Sequence, residues 1–177
     1  MTSPAAPMHI VAMGVSATGK TSVGERMAEK LGIEFVEGDT FHPENNIEKM
    51  SEGIPLDDDD RRPWLEALAD VIAASEAANS PVLVTCSALK RAYRDILGEG
   101  VGERRVFFVH LDADFDVLLA RMGQRTKHFM PASLLQSQFD TLEPLEADEF
   151  GIVIDVEPPL DEVVRAAVAA VRVQLGG

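Results

Sequence analysis

Eight residues, Gly14-Val15-Ser16-Ala17-Thr18-Gly19-Lys20-Thr21, restrict this chain more than any other stretch. They match G-x-x-x-x-G-K-[ST], with the apolar run HIVAM (9 to 13) before them and a segment of helical periodicity after them, which is the strand-to-helix setting the pattern requires. The spacing has a physical reason. Gly14 and Gly19 permit backbone conformations closed to other residues, so successive N–H groups converge on phosphate oxygens at the positive end of a helix dipole. Lys20 then reaches the β- and γ-phosphates of a nucleoside triphosphate, and the Thr21 hydroxyl is placed to ligate Mg²⁺.

Further apolar runs follow at EFVEGD (34 to 39), PVLVTCS (81 to 87), RVFFVHLD (105 to 112) and GIVIDV (151 to 156). Between them, Val23, Met27 and Leu31 recur at helical spacing within Lys20 to Leu31, as do Leu65, Leu68 and Ile72 within Trp64 to Ala74. Short apolar strands alternating with helices imply a parallel sheet covered on both faces. The expected fold is therefore a three-layer α/β/α P-loop domain on a five-stranded parallel sheet, one domain over residues 1–177. Two polar stretches interrupt the alternation, at about 40–63 and about 124–131. They are expected to be an acceptor-binding insertion and a small lid, since loops at this end of the sheet carry binding groups.

A net charge of −14, from 30 acidic and 16 basic residues, opposes binding to nucleic acid or to an anionic membrane. An anionic ligand must find a local basic cluster, and half of the Lys and Arg lie between Lys90 and Lys127. Cys86 is the single cysteine, which excludes an internal disulfide and a multi-cysteine metal site. MTSPAAPM resembles no signal peptide, and no apolar run reaches the ~18 residues of a membrane span, so a cytoplasmic protein is expected.

Switch and motor proteins share such a cradle. The guanine-reading N-K-x-D is absent, however, and PVLVTCS ends without the acid of a Walker B strand, leaving a small-molecule kinase as the leading expectation. Asp39, at the end of the second run, is expected beside the cradle, where a carboxylate can orient an acceptor hydroxyl or take its proton. Capping of the next turn is its structural alternative. PLDDDDRRPWL reads as an N-cap with acids at a helix start rather than a metal site, and Trp64 as a core anchor.

The ordered series GVSATGKTSVG, EGDTFHPENNIEKM, PLDDDDRRPWL, CSALKRAYRDIL and HFMPASLLQSQFDTLEPLEADE resembles the gluconokinase family, small kinases related to shikimate and adenylate kinases. The resemblance covers Gly14 to about Glu149 and implies transfer from ATP, with Mg²⁺, to D-gluconate, giving 6-phospho-D-gluconate. It also implies a homodimer, for which the chain offers no interface signal of its own. A polyhydroxy monoanion needs a cation and hydrogen-bonding groups. Asp39, His42 and Lys49 are candidates, and Lys90, Arg91 and Arg94 remain open as the carboxylate partner, with Arg91 preferred by analogy with shikimate kinase. The resemblance further implies Arg121 beside adenine and Arg125, with Lys127, over the developing phosphoryl charge. A kinase of shikimate or another small hydroxy acid, and a catalytically silent nucleotide-binding module, are the alternatives.

Overall fold

The computed structural model describes residues 8–124 and 131–176. β1 (His9–Met13), β3 (Val82–Thr85) and β4 (Val106–Asp112) form the centre of a five-stranded sheet, with β2 (Glu34–Val36) and β5 (Gly151–Asp155) at its edges. The order is β2-β3-β1-β4-β5 and every pairing is parallel. The central strands are buried along nearly their whole length, which is why they read as unbroken apolar runs. The edge strands are partly exposed, Val153 on β5 by 51%.

The helices are α1 (Lys20–Leu31), α2 (Glu44–Ser51), α3 (Asp58–Ala77), α4 (Arg91–Gly98), α5 (Phe115–Gly123), α6 (Ala132–Thr141) and α7 (Leu160–Gln174). α1 packs with α7, and α3 packs with α4. α1 lies tight against the sheet at Gly24: a Cβ there would stand 3.0 Å from the Phe35 ring and 3.1 Å from Leu83. No helix among the described residues is long and apolar enough to cross a membrane.

Two expectations need correction. The stretch 40–63 is largely helical: a 3-10 turn covers Gly38–Phe41, α2 follows, and α3 begins at Asp58. Asp57 caps α3 in a capping box, accepting from Asp60 N at 2.7 Å while Asp60 accepts from Asp57 N at 3.0 Å. Pro63 sits inside α3; the carbonyl that loses its partner belongs to Asp59, an exposed residue that water can satisfy. Second, β2, which leads towards Asp39, is not next to the cradle strand, because β3 lies between them. Asp39 also lies beyond β2, in the 3-10 turn.

Candidate active site

The cradle joins β1 to α1. Gly14 has φ 145°, and a Cβ on it would stand 2.5 Å from the Leu111 carbonyl oxygen of β4, so conformation and space both exclude a side chain there. Gly19 is the N-cap of α1 at φ 85°, with no side chain to satisfy the first amides of the helix. A helix start left open in this way is an anion site. Thr18 Oγ1 donates to Val15 O at 2.9 Å, tying the loop across itself. Lys20 Nζ donates to Gly14 O and Val15 O, each at 3.0 Å, which holds the ammonium over the cradle's own carbonyls. Ser16 N donates to Gln138 Oε1 of α6 at 2.7 Å.

Glu37 links three elements. Its carboxylate accepts from the Thr21 hydroxyl at the start of α1, from Thr85 Oγ1 of β3 at 2.5 Å and from Asp39 N at 3.4 Å. The acid that β3 lacks therefore arrives from the end of β2. The two strand ends meet closely because residue 38 is glycine: a Cβ there would lie 1.8 Å from Thr85 O. Glu37, and not Asp39, caps the 3-10 turn, so capping does not account for the Asp39 carboxylate.

That carboxylate lines a cavity of about 260 Å³ together with Ser16 and Lys20 of the cradle, His42, Arg61 and Trp64. Apolar side chains from α2 and the segment after it, including Ile47 and Leu56, complete one wall, and Leu134, Ser137 and Gln138 of α6 another. His42 stacks on Trp64 with centroids 4.0 Å apart and planes 17° apart. Burial chiefly lowers the His42 pKa; nearby Asp39 opposes this and Arg61 adds to it, so the ring is neutral at pH 7. Asn46 Nδ2 lies 3.2 Å from His42 Nδ1 and 2.8 Å from Asp60 O, fixing the ring against α3. Trp64 is the core anchor expected, 2% exposed, with Nε1 donating to Gly38 O at 2.8 Å; it also backs the cavity.

Arg61 is the cation that sequence reasoning missed. It is 7% exposed, and its Nη1 donates to the Tyr93 hydroxyl at 3.1 Å. A signal existed: Arg61 stands on the apolar stripe of Leu65, Leu68 and Ile72, where a guanidinium has no reason to be unless something polar meets it.

The preferred Arg91 does not line this cavity. Its guanidinium pairs with Asp148 at 2.7 and 2.9 Å and with Glu146, contacts that raise its pKa further. Arg94 is buried against Glu149 and Lys90 reaches Asp58 at 3.0 Å, so all three basic groups of this helix and its cap face carboxylates on the chain itself. Lys49 likewise gives its ammonium to both oxygens of Asp60 at 2.9 Å and is not among the cavity residues. Arg121 Nη2 donates to Val156 O at 2.6 Å, which places it against the segment after β5. Arg125 and Lys127, with all of the expected lid except Gln124 and Pro131, lie outside the described residues. Cys86 is buried, and burial pushes its thiol up to about 12, as suits an inert packing residue.

A P-loop cradle opening into a polar, cation-bearing cavity on a 2-3-1-4-5 parallel sheet defines the small-molecule kinase class. The sequence model of the shikimate kinase family matches residues 16–148. The thermosensitive gluconokinase of Escherichia coli K12 is 47% identical over 166 residues, 92% of this chain and 88% of the relative. The crystal structure of a gluconokinase from Sinorhizobium meliloti 1021 superposes with a TM-score of 0.85 at 50% identity, covering 96% of each chain. An unliganded sugar kinase from Janibacter sp. HTCC2649 gives a TM-score of 0.87 at 49% identity, over 92% of this chain and 93% of that one. The chain belongs to the gluconokinase family.

Proposed function

We propose that this protein transfers the terminal phosphoryl group of ATP to D-gluconate, releasing ADP and 6-phospho-D-gluconate. The observation that carries the reading is one cavity lined both by Ser16 and Lys20 of the phosphate cradle and by Asp39 and Arg61 of the acceptor wall. The uncapped amides at the start of α1 hold the β- and γ-phosphates, and Lys20 leaves the cradle carbonyls for the oxygens of the transferring group. Asp39 orients the attacking hydroxyl and accepts its proton as the bond to phosphorus forms. Arg61, already desolvated and held by Tyr93, takes the sugar-acid carboxylate in place of Arg91. His42, neutral and stacked on Trp64, offers a hydrogen bond to a hydroxyl. Arg121 serves the adenine side, and the lid role of Arg125 rests on the family likeness alone.

Thr21 and Glu37 present a hydroxyl and a carboxylate together, a hard oxygen donor set that suits Mg²⁺, which needs only one or two protein ligands beside phosphate oxygens and water. The ion would neutralise phosphate charge when bound. Transfer is in line, with no covalent enzyme intermediate, because the cavity needs only to position two reactants.

The test is a panel of acceptors with ATP and Mg²⁺: gluconate, shikimate, glycerate and nucleoside monophosphates. Phosphorylation of gluconate alone is expected. Turnover of shikimate in preference to gluconate, or nucleotide binding with no acceptor turned over, would remove the reading.

A further inference from the structure

Ser16 belongs to the cradle and also lines the acceptor cavity, so its amide stands near where the nucleotide's outermost phosphate must meet the acceptor. In this structure that donor is taken. Gln138 Oε1 accepts from it at 2.7 Å, placing a carbonyl oxygen where an anionic oxygen is expected. Gln138 comes from α6, remote in sequence from the cradle, and itself lines the acceptor cavity beside Ser137 and Leu134. The helix beneath is fixed: Leu134 and Leu135 are buried, and Phe139 meets Phe115 edge-on at 5.6 Å. Rotation about the side-chain torsions of Gln138 can therefore move its carboxamide without moving the backbone.

We propose that Gln138 couples the two substrates: its carboxamide holds the Ser16 amide until a γ-phosphate oxygen displaces it, and then hydrogen-bonds a hydroxyl of the acceptor. Two consequences separate this role from packing. Only a nucleotide with a third phosphate competes with Gln138, so ATP and ADP respond differently to its replacement. Moreover, apolar and anionic replacements act with opposite sign on the triphosphate, because one removes the competitor and the other strengthens it and adds repulsion.

The experiment is calorimetric titration of wild type, Gln138→Met and Gln138→Glu with Mg²⁺ and either ADP or a non-hydrolysable ATP analogue. One net hydrogen bond predicts that Gln138→Met binds the analogue about threefold to tenfold more tightly, with ADP unchanged. Gln138→Glu is expected to bind the analogue at least ~10-fold more weakly, again sparing ADP. In steady-state assays Gln138→Met raises KM for gluconate roughly tenfold, a larger change than any in kcat, since its ground-state contact is lost. An analogue-to-ADP affinity ratio that stays at the wild-type value in Gln138→Met, or shifts the same way in both variants, overturns the proposal.

The acceptor half rests on the gluconate reading; the nucleotide half does not. If wild type phosphorylates no sugar acid while the ratio shifts as expected, the functional reading falls and the contact with Ser16 keeps its role. If wild type phosphorylates gluconate and the ratio is unmoved, only the coupling falls.

Discussion

The phosphate cradle and the acceptor cavity touch at Ser16 and Lys20, yet they are built in opposite ways. The cradle is eight consecutive residues shaped by their own backbone, so its geometry is local and its glycines are explained by their own dihedrals. The cavity draws Asp39 and His42 from beyond β2, Arg61 and Trp64 from α3, and Gln138 from α6, so nothing about it is fixed until the sheet brings those segments together. A contiguous site tolerates change elsewhere in the fold; an assembled one depends on each helix that delivers a side chain.

The largest expected effect lies in the cradle. Lys20→Ala should lower kcat by about 10³-fold or more in a coupled ADP-release assay, since it removes charge stabilisation of the transferring group. A variant near wild-type turnover would break the cradle side of the comparison. Next, Asp39→Asn should lower kcat by ~10²- to 10⁴-fold while ADP binding, measured by titration, stays as in wild type. Equal losses in both would show that Asp39 supports the cradle rather than the acceptor.

The comparison is sharpened by a pair of arginines. Arg61→Met should raise KM for gluconate by about 10- to 100-fold, the cost of removing one partner of a charge-assisted hydrogen bond, whereas Arg91→Met should leave KM close to wild type. The reverse result would return the carboxylate contact to Arg91.

The smallest effect concerns pH. His42 in the cavity wall and His110 on β4 both have folded-state pKa values lowered from 6.5, chiefly by burial. The unfolded chain therefore binds more protons just below that value; their contribution to stability is intact above pH 6.5 and is lost as pH falls through the folded-state values. Both ring nitrogens of His110 lack a partner among the described residues, so His110→Leu should flatten the decline in urea-measured stability between pH 7 and 5. An unchanged slope would assign the acid sensitivity elsewhere.

The same division decides how much of the molecule is legible in its sequence. The five strands and the cradle were legible because apolar runs and a glycine pattern express local rules. The capping acids of α3 were legible for the same reason. Arg91 pairs with Glu146 and Asp148, which are more than fifty residues away in the chain, and neutralisation by such partners leaves no local trace. The link from Glu37 to both Thr21 and Thr85 depends on strand order, which periodicity does not give. The helical character of 40–63 was hidden by polar residues that satisfy one another between α2 and the first turn of α3, as Lys49 and Asn46 do with Asp60.

The indole that closes the core behind the acceptor cavity is the sole tryptophan of the chain. It faces an imidazole ring at 4.0 Å, so the environment of its excited state depends on where that ring sits. Indole emission of the native protein, excited selectively at the red edge of its absorption, thus originates at one wall of one chamber, and an acceptor that moves His42 would change its intensity. A gluconate titration followed through that emission needs no label, and no second indole obscures the signal.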